Sequence, residues 1–368
     1  MRFTVSQSAF AKALAVVSKG IATHSTLPVL SGVLMRADNG TLEMQTSDLD
    51  TSIRHKIPAN VEEPGETVIS GRVLGSIVKN LADASITFDG GQGAIHLTCQ
   101  NSSFHLNTLS ADEFPNFPEI AMERHVDLPR DVLSSMVDKV YKVVSKDPSH
   151  PALAGVLLNV EENLVRLVAS DGYRAAMCDT QVATPDLTDM FEMIVPGNAF
   201  HDALTLPSDS ESVTIGDTAN QAIFVFGNTT YVTRRIEAQF PNWRGLLPKD
   251  VLTSVTVKVA DLAGALRRVS SIAAQGLRIK IEVDPTQAQT TLSSSSPDQG
   301  DAREIMQVEA QGEPNTIFVN YRYFGDGIAA ADQTGDITLE LQQAGRPGVF
   351  KAYGKINYLY ILMPLRGM

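Results

Sequence analysis

An α+β fold built from three copies of one domain is what this 368-residue sequence predicts, on three observations. The first is a repeated phrase. Glu113-Phe114-Pro115-Asn116-Phe117 returns as Gln239-Phe240-Pro241-Asn242-Trp243, and Phe114 and Phe240 stand 126 positions apart. The second is that other landmarks keep nearly the same step. Val17-Ser18 returns as Val144-Ser145 and Val269-Ser270, Ser31-Gly32-Val33-Leu34 as Ala154-Gly155-Val156-Leu157, and Ser47-Asp48 as Ser170-Asp171. A third of the chain is about 123 residues, the size of a self-sufficient domain and too long for a solenoid unit. The third observation is a shared order of elements, with antiparallel strands and two helices that cover one sheet face. Domains are expected at 1–122, 123–250 and 251–368.

The elements follow from local pattern. Each copy opens with a strand (Arg2–Ser6, Val126–Leu128, Ser254–Val259) and an amphipathic helix. In the first copy Ser6 is a good N-cap, and Phe10, Leu14 and Val17 make the apolar stripe. In the second, Pro129 suits a first helical turn; Val132, Met136, Val140 and Val144 are spaced by four, and Leu133 and Val137 widen the stripe. The third uses Leu262, Leu266 and Val269. Alternating strands follow, broken by turns such as Asp38-Asn39-Gly40 and Asp89-Gly90-Gly91. Second helices are expected at about Gly71–Leu81, Gly197–Leu206 and Tyr321–Ala330. Ser293–Ser296 and Pro297-Asp298-Gln299-Gly300 read as a flexible loop.

Composition bounds the function. At 43% hydrophobic and 20% charged, the chain can fill three ordinary cores. No apolar run is long enough to span a bilayer and no charged region precedes an apolar stretch at Met1, so a soluble, cytoplasmic chain is expected. Cys99 and Cys178 cannot make a disulfide framework and read as inert thiols. A net charge of −12 argues against binding nucleic acid by bulk attraction.

The helices nonetheless lean basic. Lys12 and Lys19 lie seven apart on the first helix, Arg72 and Lys79 repeat that spacing on the second, and Lys139, Lys142 and Lys146 share one face of the third. Arg267, Arg268 and Arg322 add to the last two. With 42 acidic against 30 basic residues, such segregation suits a surface that faces phosphate while the rest repels it. A domain of this size is roughly 35 Å across. Three in a closed ring leave a gap of about 5 Å, whereas six leave about 35 Å, room for a duplex roughly 20 Å wide. One chain supplies three domains, so such a ring requires two chains about a twofold axis.

Five segments carry a resemblance across the whole chain. They are Thr26-Leu27-Pro28-Val29-Leu30-Ser31-Gly32, Ala169-Ser170-Asp171-Gly172-Tyr173-Arg174, Phe240-Pro241-Asn242-Trp243-Arg244 with Leu247-Pro248, Met363-Pro364-Leu365-Arg366, and Ser296-Pro297-Asp298-Gln299 before Ala302-Arg303-Glu304. In this order and spacing the sequence resembles the bacterial β sliding clamp, the processivity subunit of DNA polymerase III. The resemblance implies half of a six-domain dimeric ring, sheets outside and helices lining the hole. Such a ring encircles duplex DNA without reading its sequence and holds the polymerase by topology. A linked ring need only slide, so a few loose basic contacts suffice.

The resemblance also implies sites. DNA would be touched by His24, Arg72, Lys146 and His150, beside the helix lysines Lys12, Lys19, Lys79, Lys139 and Lys142; His24 and Gly197-Asn198 stand where the family is often more basic. A pocket for short peptides of the replicative polymerase, the clamp loader and repair proteins would involve Leu153, Ser170, Gly172, Tyr173, Arg174, Pro241, Leu246, Tyr323, Met363, Pro364, Leu365 and Arg366. Ala175 and Gly245 are smaller than is common there. Phe104 and Leu106 would meet Ile272 of a second chain in a homodimer, where Ala273 is also smaller than usual. The rival reading is an enzyme that uses the carboxylates of Asp48, Asp50 and Asp171, the last with Tyr173. A turn repeated in successive copies accounts for Asp48 and Asp171 more directly. No phosphate-binding loop, HExxH or GxSxG occurs and the seven histidines are scattered, so neither metal nor cofactor is called for.

Overall fold

Each third of the chain lays down its elements in the same order, and the computed structural model describes them over residues 1–184, 189–248, 250–273 and 277–365. The first third holds β1 (Arg2–Ser6), α1 (Gln7–Val17), β2 (Gly32–Asp38), β3 (Thr41–Ser47) and β4 (Thr51–Pro58). It continues with β5 (Asn60–Glu63), β6 (Gly65–Ser70), α2 (Gly71–Val78), β7 (Ser85–Gly90), β8 (Ala94–Cys99) and β9 (Ser102–Asn107). The second has β10 (Arg124–Pro129), α3 (Arg130–Val140), β11 (Gly155–Glu161), β12 (Leu164–Ser170) and β13 (Arg174–Gln181). After these come β14 (Phe191–Pro196), α4 (Gly197–Thr205), β15 (Ser212–Asp217), β16 (Gln221–Phe226) and β17 (Thr229–Arg234). The last comprises β18 (Thr253–Lys258), α5 (Val259–Ser270), β19 (Arg278–Asp284), β20 (Gln289–Ser296), β21 (Gly300–Gln307) and β22 (Glu309–Gly312). It ends with β23 (Asn315–Asn320), α6 (Tyr321–Ala329), β24 (Asp336–Leu341), β25 (Gly348–Ala352) and β26 (Asn357–Leu362).

Two compact units contain these elements, Met1–Val132 with His201–Arg235, and Leu133–Phe200 with Ile236–Met368. The first unit holds a five-stranded sheet, β5-β1-β7-β8-β9, and an eight-stranded one, β10-β15-β16-β17-β4-β3-β2-β6. In the second lie a nine-stranded sheet, β14-β11-β12-β13-β26-β25-β24-β18-β22, and a four-stranded one, β21-β20-β19-β23. The middle third thus contributes strands to both units: β17 pairs with β4 of the first third, and β13 with β26 of the last. The two junctions are equivalent, because each joins the last strand of one copy to the fifth element of its neighbour.

Local signals account for most boundaries. Ser6 caps α1 by accepting the Ala9 amide at 3.3 Å, and Phe10, Leu14 and Val17 are buried. Phe3 stacks on Phe88 with centroids 4.8 Å apart and Phe10 adds to them at 5.2 Å, a core in which each ring contributes about 2–3 kcal/mol of burial. The second helices begin where the sequence places them and end one to three residues early. Two expectations change. Pro129 is the last residue of β10, paired with Ser212, so α3 starts one residue after it. Ser293–Ser296 is strand, with only 297–299 left as a turn. Alternate serines there face inward: Ser294 and Ser296 are buried, and Ser294 donates to the Val269 carbonyl at 2.8 Å. Hydroxyls that find a helix-end carbonyl can line a strand's inner face, which composition alone does not reveal.

Cys99 and Cys178 are buried free thiols. Burial pushes the Cys178 pKa well up, and its Sγ contacts the Met136 carbonyl at 3.4 Å, so it stays protonated and unreactive. No described helix is long and apolar enough to cross a membrane.

Candidate functional site

The β12–β13 turn builds the site. The Asp171 amide donates to the Arg174 carbonyl at 3.2 Å, while Asp171 Oδ1 accepts the amides of Tyr173 at 2.9 Å and Arg174 at 3.0 Å. Ser170 Oγ accepts the Gly172 amide at 3.1 Å and donates to the Arg174 carbonyl at 2.8 Å. Gly172 has φ +86°, where a side chain would strain the backbone. The first copy repeats this turn: the Asp48 amide donates to the Thr51 carbonyl at 3.0 Å, and Asp48 Oδ1 accepts the amides of Asp50 and Thr51. Both aspartates are therefore occupied in shaping a turn, and Asp171 Oδ2 takes the Arg174 Nε at 3.0 Å.

This turn aims two side chains in opposite directions. Tyr173 is 66% exposed, whereas Arg174, the first residue of β13, is 8% exposed. The Arg174 guanidinium donates to Asp326 Oδ2 at 2.5 Å, the Tyr360 hydroxyl at 3.3 Å and the Lys142 carbonyl at 3.3 Å, and lies over the Tyr323 ring at 4.3 Å. The Tyr360 hydroxyl donates to the Tyr323 carbonyl at 2.7 Å. Burial opposes the arginine's charge, but Tyr360, Asp326 and Asp171 outweigh it and the pKa rises. Burial pushes the Tyr360 and Tyr358 hydroxyls up in turn, so both stay neutral; Tyr360 donates as above, whereas the buried Tyr358 hydroxyl has no hydrogen-bond partner among the described residues.

A cavity of about 970 Å³ opens over this platform. Leu153, Gly172, Tyr173, Arg174 and Tyr323, expected to bind peptides, line it, and Lys142, Lys146 and His150, expected to contact DNA, stand in the same wall. Beside it, Ala175, Met177 and Ile361 belong to a buried cluster against which Phe240, Trp243 and Leu247 pack. Pro241 and Leu246 are exposed on the segment that carries Trp243, whose ring lies 4.4 Å from the Arg244 guanidinium and 5.2 Å from that of Arg166. The tail continues β26: the Met363 amide donates to the Tyr173 carbonyl at 3.0 Å and the Leu365 amide to the Phe318 carbonyl at 2.7 Å. Met363 and Leu365 remain exposed and Pro364 is half-buried; Arg366 lies outside the described residues. Asp326, Tyr360 and Tyr141 also shape the site and were not singled out by sequence. The alternation Tyr358, Tyr360 on β26 was the one available signal for a shared inner face.

The basic residues divide. Lys12, His24, Arg72 and Lys79 are exposed. Lys19 pairs with Asp202 at 2.9 Å, and Arg268 with Glu304 at 2.8 Å. Lys139 is half-buried, donating to the Ala330 carbonyl at 2.7 Å above the Tyr358 ring. Phe104, half-buried, and Leu106, buried, lie on β9, the free edge of the five-stranded sheet, and Ile272 follows α5 half-buried. Among the described residues no three or more His, Cys, Asp or Glu side chains converge as a metal site.

Comparison with known proteins accounts for the whole architecture. Three models of the DNA polymerase III beta subunit match in series: the N-terminal domain over residues 1–118, the central domain over 127–242 and the C-terminal domain over 244–366. A beta sliding clamp from Synechococcus elongatus is 28% identical over 373 residues, covering 100% of this chain and 99% of that one. A crystal structure of a sliding clamp (DNA polymerase III subunit beta) from Bartonella birtlesii bound to griselimycin superposes with a TM-score of 0.91 at 26% identity, and the beta subunit from Thermotoga maritima with 0.91 at 25%. Each alignment covers 100% of both chains. The chain, with its three clamp domains of α+β fold, belongs to the family of DNA polymerase III beta subunits, the bacterial β sliding clamps.

Proposed function

We propose that this chain is a DNA polymerase processivity factor: two copies close a ring of six domains around duplex DNA and tether the replicative polymerase and other replication and repair proteins. The domains run 1–122, 123–250 and 251–368. The observation that carries this reading is an incomplete sheet. Within the chain, the nine-stranded sheet runs β22-β18-β24-β25-β26-β13-β12-β11-β14 when read from its other end. Placing β9 beside β21 of a second chain gives β5-β1-β7-β8-β9-β21-β20-β19-β23, the same order of repeat-equivalent strands, from two sheets that each have a free edge. Unpaired edges of this kind invite a partner strand. Phe104 and Leu106 on β9, and Ile272 near α5, are the apolar residues assigned to that seam.

The partner site is the cavity beside Tyr173 together with the exposed Met363, Leu365 and Leu246. Apolar and adaptable side chains next to a fixed arginine suit a short amphipathic peptide. Lys12, Arg72, Lys79, Lys142, Lys146, His24 and His150 provide loose, sequence-independent phosphate contacts; Lys19 and Lys139, already engaged, contribute less. The chain acts without catalysis in the cytoplasm, needing no cofactor: the turn hydrogen bonds of Asp171 weigh against a carboxylate enzyme.

The test is topological. Loaded onto a nicked circular duplex, the protein stays bound through gel filtration, and linearising the circle releases it. Its solution mass is about twice 39.7 kDa, and Phe104→Asp lowers it toward one chain. Equal retention on circular and linear duplexes refutes encirclement.

A further inference from the structure

Two histidines that the clamp function leaves unused face each other on the edge strand of the five-stranded sheet and the strand next to it. His96 on β8 and His105 on β9 are direct register partners. His105 Nδ1 lies 3.2 Å from His96 Nε2, with ring centroids 4.6 Å apart. Asp89 on β7 is the register partner of His96 on its other side, so Asp89, His96 and His105 form one row across three strands. Their sequence neighbours Phe88, Leu97 and Leu106 are buried on the opposite face, and all three row members are exposed to solvent.

We propose that His96 and His105 chelate a divalent transition-metal ion of the zinc class. Metal–imidazole bonds of about 2.0–2.1 Å set two ligand nitrogens about 3.3–3.4 Å apart in tetrahedral geometry and about 2.9 Å apart at a right angle. The observed 3.2 Å lies between these limits, and the antiparallel pairing holds the rings there before any ion arrives. The same contact can be made by one shared proton. An ion takes that proton's place when each neutral ring keeps its single N–H on the nitrogen facing away, Nε2 of His105 and Nδ1 of His96, leaving two lone pairs converging. No electron transfer is involved, and the ion's charge is balanced by solvent anions and by Asp89. Asp89 is held only loosely, 4.0 Å from the Arg2 guanidinium, and strengthens the site as a neighbouring negative charge. With two protein ligands and water in the remaining positions the site is open and exchangeable. Mg²⁺, which demands oxygen ligands, gains little from it. Occupancy pins β9, the edge strand, to β8. The inference rests on the sheet alone and stands whether or not the chain encircles DNA.

The test uses the full, untagged chain at pH 7.5, titrated calorimetrically with Zn²⁺ and separately with Ni²⁺ and Mg²⁺. One Zn²⁺ binds per chain in the micromolar range and raises the unfolding temperature; Mg²⁺ does neither. His96→Gln and His105→Gln each weaken binding about tenfold or more and abolish the thermal shift, while leaving the unfolding temperature in EDTA unchanged because both side chains are exposed. Asp89→Asn weakens binding a few-fold. Lowering the pH weakens binding in the parent, since protons compete for the same lone pairs. Zn²⁺ binding that is unchanged in both histidine variants assigns the ion to other residues and overturns the proposal. So does an absence of binding up to about 1 mM Zn²⁺.

Discussion

Arg174 on β13 and Asp326 on α6 are joined by a 2.5 Å hydrogen-bonded ion pair, and through it the Asp171 turn, the Tyr360 hydroxyl and the Tyr323 ring become one platform. Sequence-distant elements thus fix the wall of the cavity. Arg174 is almost fully buried while Asp326 keeps 44% of its side chain exposed, so the pair is neither a surface contact nor a wholly desolvated one.

Removing the guanidinium takes one donor from Asp171 Oδ2, the Tyr360 hydroxyl and the Lys142 carbonyl, while Asp171 Oδ1 keeps its two backbone amides. Arg174→Ala is expected to cost about 2–3 kcal/mol, below the range for a fully buried pair because Asp326 can rehydrate. Partner-peptide affinity falls by at least about tenfold. Arg174→Lys recovers only part of both, since an ammonium cannot serve Asp171, Asp326 and Tyr360 from one plane. Denaturant melts and fluorescence anisotropy with a labelled peptide check this; a fully stable, fully binding alanine variant contradicts it.

Tyr173 separates binding from stability. Its ring is two-thirds exposed at the cavity mouth, while its backbone carbonyl accepts the Met363 amide and is unaffected by side-chain truncation. Tyr173→Ala should change stability by no more than about 0.5 kcal/mol and weaken peptide binding by about 1–2 kcal/mol. An unchanged affinity would remove Tyr173 from the site.

How much of this could be read from the chain depends on the range of the interaction. Ser6 capping α1, the helices at Gly71 and Tyr321, and the twin turns at Asp48 and Asp171 are local, and short sequence carries them. Leu153, Tyr173, Arg174 and Tyr323 were expected at one pocket from the resemblance to a known family, Tyr173 and Arg174 within a segment that carries it, and the structure gathers all four around one cavity. The Arg174–Asp326 and His96–His105 pairs were not, since each depends on where one element lands on another. Lys19 and Lys139 looked like free cations for the same reason: their partners, Asp202 and the Ala330 carbonyl, lie about 190 residues away or nearly so. The serine strand β20 was masked by composition.

The repeated turn yields a prediction about strain. Leu49 occupies the place held by Gly172 in the next copy, at φ +79° against +86°, and 54% of it is exposed. A leucine there sits in a region costing about 1 kcal/mol or more for residues with a Cβ, and its side chain has little burial to offset this. Leu49→Gly is therefore expected to be neutral or stabilising by up to about 1 kcal/mol, even allowing for the greater freedom of glycine in the unfolded chain. A loss above 1 kcal/mol in urea denaturation would mean that the side chain, not the backbone, decides this position.

His55 gives the β4–β17 junction a pH dependence. It lies in β4, and its Nδ1 is 2.8 Å from the Thr229 hydroxyl of β17. Burial lowers its pKa, so the folded protein holds a proton there less readily than the unfolded chain does. The stability associated with neutral His55 is therefore fully present above the unfolded value and is lost as pH falls through the lowered folded value. His55→Gln keeps a side chain able to hydrogen-bond Thr229 but cannot take up the proton. Its unfolding temperature should fall less than the parent's between pH 7.5 and pH 5, by a difference on the order of 1–3 °C in a chain of this size. Parallel curves for the two proteins would show that protonation at this junction does not oppose folding.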